Sequence, residues 1–278
     1  MIVTAVQRWR EHRSSYRPAG EPIVTAHYEV APMPERDAKL FVEQHHYLGS
    51  FPSARWCFGL YSPLLVGVAV FSYPVNDKVI TNVLPGTAME SVELGRLVLL
   101  DAVPANGESW FVSRCFAALR REGLVGVVSF SDPVARTSAS DAVVFKGHFG
   151  NVYQALNAVY TGRGTARTLR LLPDGTVFSE RAASKVRAGE RGMEYAAAQL
   201  VRAGARGVAV ESLPEDERRA WLREAVAAVT RPLKHAGNFR YVWALDKRAK
   251  RHLPPAQPYP KLTLAPTVPT LSACVEPY

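Results

Sequence analysis

The sequence has few cysteines and no long apolar run. Cys57, Cys115 and Cys274 are far apart and show no paired metal-ligand spacing. They read as two buried small hydrophobes and one tail thiol, not as a disulfide framework. No stretch of about 18 apolar residues occurs, so no helix is expected to span a membrane. The apolar start, residues 1–6, is followed by Arg8, Arg10 and Arg13. A secretory signal places its charge before the apolar stretch, so a cytoplasmic protein is expected. A Gln-x-x-Gly-x-Gly phosphate loop is absent, and so are internal repeats.

What is present is an ordinary globular composition with a basic bias. Of 278 residues, 47% are hydrophobic and 21% charged, enough for one large or two small cores. The net charge is +9, which points to an anionic partner, most simply nucleic acid. The charge is unevenly spread. Arg231, Lys234, Arg240, Lys247, Arg248, Lys250 and Arg251 are opposed in their segment only by Asp246. A solvated basic face would look the same, but clustering favours phosphate contact.

Residues 1–22 read as a basic, irregular arm. Residues 23–30 suggest a strand, and 34–47 a helix that Pro34 opens and Gly49 closes. Residues 56–61 and 64–73 suggest a hairpin around Ser62-Pro63. Residues 92–100 read as a buried strand leading into a helix from Asn106 to about Gly123, and 124–130 as a further strand. A short helix is expected over 151–160. Pro173-Asp174-Gly175 marks a hairpin turn. Helices follow over 181–205 and 215–229, then a strand over 240–245. The tail from 253, rich in proline, is expected to be extended. The pattern predicts one α/β domain over 23–252, with a mixed central sheet and helices on both faces. A C-terminal helical and hairpin elaboration precedes the tail, 253–278. Strand, helix, three strands, helix, strand, helix, strands is the layout of the GNAT acyltransferase fold.

Four constellations fall where strands end and helices begin, the usual place for ligands in α/β sheets. His45 and His46 close the first helix about 100° apart, so one faces inward and the other reaches a site. A neutral imidazole there suits proton removal. Arg96 interrupts an apolar strand and needs an anion. Glu93, three positions away, falls on the opposite face of a regular strand. Asn106, Gly107 and Ser109 open a helix whose N-terminus suits phosphate, although Glu108 in its first turn competes. Asp132 at a strand end either orients a base or caps the turn before Pro133. His148 between Gly147 and Gly150, with Tyr153 and Asn157 four apart, completes the set. The pair of histidines and Asp132 would have to meet in space to hold a metal, and their spacing is not diagnostic.

In this order, His45-His46-Tyr47, Glu93-Leu94-Gly95-Arg96-Leu97, Asn106 to Ser109, Ser131-Asp132 and Gly147-His148-Phe149-Gly150-Asn151-Val152-Tyr153 resemble the phage Mom family. So do the strand-end run Arg240 to Arg248 and Pro258-Tyr259-Pro260-Lys261. The resemblance spans about 25–261. It implies a GNAT-like fold and conversion of adenine in phage DNA to N6-carbamoylmethyladenine, which protects the genome from host restriction. Carried over by position, Arg96, Ser109, Asp132 and Tyr153 are implied functional residues, with His45 and His46 lining the site. This chain adds a stretch, 135–145, between Asp132 and Tyr153.

The expected mechanism flips an adenine out of duplex DNA towards an activated donor, acetyl-CoA or another carrier. Asp132 or His46 handles the proton, Tyr153 shapes the pocket and Arg96 meets an anion. Arg240, Lys247, Arg248, Lys250 and Arg251 are expected to hold DNA phosphates. Two readings compete: an acyl-CoA-dependent N-acetyltransferase for a small molecule or protein, and a non-catalytic phage DNA-binding protein.

Overall fold

The computed structural model describes residues 5–10, 13–18, 20–46 and 48–261; Tyr47 and Cys274 lie outside them. Strands β1 (Ala5–Arg10) and β2 (Arg13–Pro18) pair antiparallel, so the expected irregular arm carries a hairpin. Then come β3 (Glu29–Pro32), α1 (Glu35–His45), the hairpin β4 (Ala54–Ser62) and β5 (Leu64–Ser72), and a single turn α2 (Lys78–Thr81). Strand β6 (Ser91–Leu99), helix α3 (Gly107–Arg121) and strand β7 (Gly126–Ser131) follow. A small hairpin, β8 (Arg136–Thr137) with β9 (Val143–Phe145), follows β7. Helix α4 (Asn151–Ala155) is shorter than expected, because β10 (Val159–Arg163) already includes Tyr160.

Seven strands form the main sheet in the order β10, β14, β7, β6, β5, β4, β3, where β14 is Phe239–Ala244. The element order from β3 to β10 is the acyltransferase layout expected from the sequence. Apolar runs such as Val68-Ala69-Val70-Phe71 are fully buried, as they must be in a sheet covered on both faces. On one face α3 packs Phe111, Val112, Cys115, Phe116 and Leu119, at helical spacing, against Phe71, Val127 and Trp243. The other face takes Ala38 and Val42 of α1. Further along that face lies Ala249 of α8 (Lys247–His252). Both described cysteines are buried, and burial pushes the Cys57 thiol up to about 11. No helix among the described residues is long and apolar enough to cross a membrane.

Between β10 and β14, which are neighbours in the sheet, the chain leaves to build a second core. This insertion holds β11 (Arg167–Leu171), β12 (Val177–Phe178), α5 (Glu180–Ala188), α6 (Met193–Arg202), α7 (Glu215–Val229) and β13 (Arg231–His235). The last of these strands pairs with β11 in a three-stranded sheet. Phe178, Val186, Leu200, Trp221 and Leu222 fill the core. The expected single helix over 181–205 is two, α5 and α6, because Gly189 and Gly192 adopt left-handed φ values of 67° and 87°. At the far end of the chain, Gln257 and Tyr259 bond to the carbonyls of Tyr160 and Ala158 and cover the β10 edge.

Candidate active site

Strands β6 and β7 are parallel and pair only at Ser91, Val92 and Glu93. Beyond Glu93 they part: β6 stays with β5, and β7 with β14. A gap between diverging parallel strands is a natural ligand site. Here it opens into a cleft of about 1320 Å³, which runs from Glu93, Arg96 and Tyr153 to α6 of the insertion.

At the head of the cleft, the sequence expectation for Glu93 and Arg96 is corrected. Arg96 pairs with Val70, yet Leu94 pairs with Phe71, so Gly95 is an extra residue that bulges. Glu93 pairs with Ser72, two residues from Val70, and therefore shares a face with Arg96. A Cβ on Gly95 would stand 2.7 Å from Ser72 Oγ, which is why glycine occupies the bulge. Burial pushes the Glu93 carboxyl up to about 7, with the Arg96 charge opposing. Arg96 itself donates to Ser50 O and Ser50 Oγ, both at 3.0 Å.

Asp132 lines the cleft, but its carboxylate is engaged. Oδ2 is ion-paired with Arg136 from β8. Oδ1 lies 2.9 Å from His235 Nε2, at the end of β13, and accepts from the Val134 N–H. The Gly237 N–H donates to His235 Nδ1, which leaves the proton of a neutral ring on Nε2, aimed at Asp132. Asp132 thus joins the main sheet, the β8–β9 hairpin and the insertion. His235 and Arg136 are absent from the sequence-derived set, and nothing local to either residue marks it.

His148 lines the cleft too, held by its N–H to Asp132 O at 2.8 Å. Burial drives its imidazole down to about 4, so it is neutral at pH 7. Its ring lies 6.5 Å from that of Tyr153, which also packs on Tyr241 and Trp243. Burial raises the Tyr153 pKa, against a hydrogen bond with Ser129. Tyr153 lines the cleft. Asn157 does not share its helix face: α4 ends at Ala155, and Asn157 is exposed in a left-handed turn at φ 54°.

The two histidines of α1 divide as their angle requires. His46 is buried, lines the cleft and accepts from the Leu48 N–H at Nδ1. His45 instead packs against Phe41, the rings tilted at 56°, and is not part of the lining. At α3, Asn106 stands at the cap position with φ 65° and makes no side-chain cap bond. Asn106, Glu108 and Ser109 line the cleft, and Ser109 Oγ donates to Asn106 O. Gly107 turns inward, where a Cβ would stand 2.4 Å from Val103. The Glu108 carboxylate stands in the first turn of this helix start. Among the described residues no three His, Cys, Asp or Glu side chains could hold a metal ion.

The basic segment lies elsewhere. Ala244 pairs with Gly126, at the start of β7, so α8 follows at the end of the sheet opposite the cleft. Lys247, Arg248, Lys250 and Arg251 are exposed there, and Arg248 approaches Glu90, just before β6, at 3.8 Å. Arg240 is half-buried and donates to Thr161 Oγ1 at 2.7 Å. Desolvation lowers its pKa.

The model of the Mom protein family matches residues 27–261. The chain belongs to the Mom family. No curated protein matches it. Among solved structures, this Mom-family protein is similar to a tandem GNAT protein from the clavulanic acid biosynthesis pathway. The identity is 9% and the TM-score 0.41, over 79% of this chain and 99% of that one. An N-acetyltransferase from Staphylococcus aureus Mu50 is 10% identical with a TM-score of 0.32, over 51% of this chain and 87% of that one.

Proposed function

We propose that this Mom-family protein is a DNA-modifying transferase. In this reading it acts on the exocyclic amine of adenine, forms N6-carbamoylmethyladenine and shields phage DNA from host restriction. The single observation that carries the chemistry is the parting of β6 and β7. It sets Glu93, with its raised carboxyl pKa, in one cleft with neutral His148 and the Tyr153 ring.

That amine is a poor nucleophile, because its lone pair is delocalised into the ring. Transfer needs an activated donor held close and a proton acceptor with a pKa near the working pH. Glu93 meets the second need and takes the place expected for Asp132 or His46. Tyr153 bounds the pocket, and neutral His148 supplies one hydrogen-bond donor and one acceptor. Arg96 is the cation on the Glu93 side, where an anionic donor would be met. The donor is an activated carrier, acetyl-CoA or another, and the α3 start with Asn106, Gly107 and Ser109 is where an acyl-CoA diphosphate would be met. The target base must leave the duplex to reach so deep a site. The carbamoylmethyl group follows from the family alone.

The test is nucleoside mass spectrometry on DNA from cells expressing the intact chain or the Glu93→Gln variant. A deoxyadenosine heavier by one carbamoylmethyl group is expected only with the intact chain. An unchanged deoxyadenosine pool with the intact chain overturns the reading.

A further inference from the structure

We infer that DNA enters over the insertion side of the cleft, on a surface formed by α6 and β11, and not over the basic helix α8. This rests on the DNA-modification reading and names the surface that serves it. The starting observation is a mismatch of place. The most basic segment of the chain, α8, lies at the opposite sheet end from the cleft and contributes nothing to its lining. A strand bound there would lie where β6 and β7 begin, away from Asp132 and His148, which line the cleft beyond the other end of β7.

The insertion supplies what α8 does not. Helix α6 is amphipathic, with Ala196, Ala197 and Leu200 buried in the insertion core. Its other face carries Tyr195, Gln199 and Arg202, spaced four and three residues apart and therefore aligned. All three line the cleft. Tyr195 is 69% exposed, so its ring is open to a stacking partner. Arg202 covers one face of that ring at 5.9 Å and leaves the other to stack. Beside them on β11, Arg167 and Arg170 are exposed and also line the cleft. Arg167 bonds to the neutral side chain of Asn238. Among the described residues, none of these three arginines is ion-paired with a carboxylate.

An exposed ring, an amide and Arg202 on α6, with Arg167 and Arg170 from the two faces of β11 around the same cleft, make a surface of the kind that binds nucleic acid. The guanidinium groups meet phosphates, and the ring meets any base face. The cleft is continuous from Tyr195 to Glu93, so a base leaving the duplex passes the ring on its way in.

The experiment uses the full chain with a fluorescein-labelled duplex for anisotropy, and a duplex with 2-aminopurine at one adenine position to report unstacking. Arg167→Gln, Arg170→Gln and Arg202→Gln together should weaken duplex binding about tenfold or more and flatten its salt dependence. Neutralising Lys247, Arg248, Lys250 and Arg251 to Gln should leave both close to those of the intact chain. Tyr195→Ala should abolish the 2-aminopurine fluorescence rise, and Tyr195→Phe should keep it, because only the ring face is used. Binding lost in the α8 variant but kept in the cleft variant overturns the inference, as does a full fluorescence rise in Tyr195→Ala. No binding of any duplex by the intact chain overturns the DNA reading itself, and this inference with it.

Discussion

His235 and Asp132 stand 103 residues apart in sequence and 2.9 Å apart in space, Nε2 to Oδ1. The contact ties the end of β13 to the end of β7, and so the insertion to the sheet whose strands part at the cleft. Arg136 completes it from the other carboxylate oxygen.

Breaking that junction should cost stability before it costs chemistry. Asp132→Asn leaves Arg136 with its charge buried and unpaired, a loss of about 3 kcal/mol or more. Thermal denaturation should show it. Hydrogen exchange should quicken across 164–238 and much less in β4 and β5. A variant with unchanged melting and exchange would remove Asp132 from the anchoring role.

Glu93 should govern the pH profile. As the proton acceptor it must be ionised, so kcat/KM should rise as pH passes about 7. Glu93→Gln should lower kcat about 100-fold or more and erase that limb. The sign for stability is the reverse. Its folded pKa lies above the ordinary carboxyl value of 4.5, so the native state holds the proton more tightly. Its contribution is full below 4.5 and lost as pH rises through about 7. At pH 8 the Gln variant should melt higher than the intact chain.

His148 should act in the opposite sense. Its folded pKa, about 4, lies below the ordinary 6.5, so the unfolded chain binds the proton first on acidification. The stability it contributes is full above 6.5 and lost as pH falls towards 4. Urea titrations across that window should show a smaller acid loss for His148→Gln. An equal loss in both proteins would mean that the imidazole is not kept neutral by burial.

Gly95 should resist even alanine. The added Cβ meets Ser72 Oγ at 2.7 Å, so Gly95→Ala should cost about 1–3 kcal/mol and disturb the side of the cleft that Glu93 and Arg96 share. Ser72→Ala in the same chain should restore much of the loss, a coupling that a double-mutant cycle measures. Additive losses would place the strain elsewhere.

Local signals in the sequence carried far. Acidic residues after Pro214 mark the start of α7 at Glu215, and the β4–β5 hairpin follows from two apolar runs around Ser62-Pro63. The order of elements around β6 and α3 was legible for the same reason, since each is a short periodic segment with a clear stop. What stayed hidden is non-local or depends on a single residue. A mid-strand glycine can signal a bulge, and Gly95 is where period-two counting for Glu93 and Arg96 fails. Gly189 and Gly192 split a helix that propensity alone would continue. The partner of Asp132 could not be read, because His235 reaches it only through the folding of the whole insertion. Likewise, charge clustering located the most basic segment but not its distance from the cleft.

The neck of the insertion is very narrow. Arg163 and Phe239 are cross-strand partners, the Gly164 N–H bonds to Asn238 O at 2.8 Å, and a Cβ on Gly237 would stand 2.1 Å from Gly164 O. The chain therefore departs and returns at one point, as a simple hairpin would. Between those two glycines any cassette that brings its own core and an Asp132 partner can be spliced in. The insertion is thus a unit joined to the main sheet at one neck, and its core can be altered while the pairing of β10 with β14 stays in place.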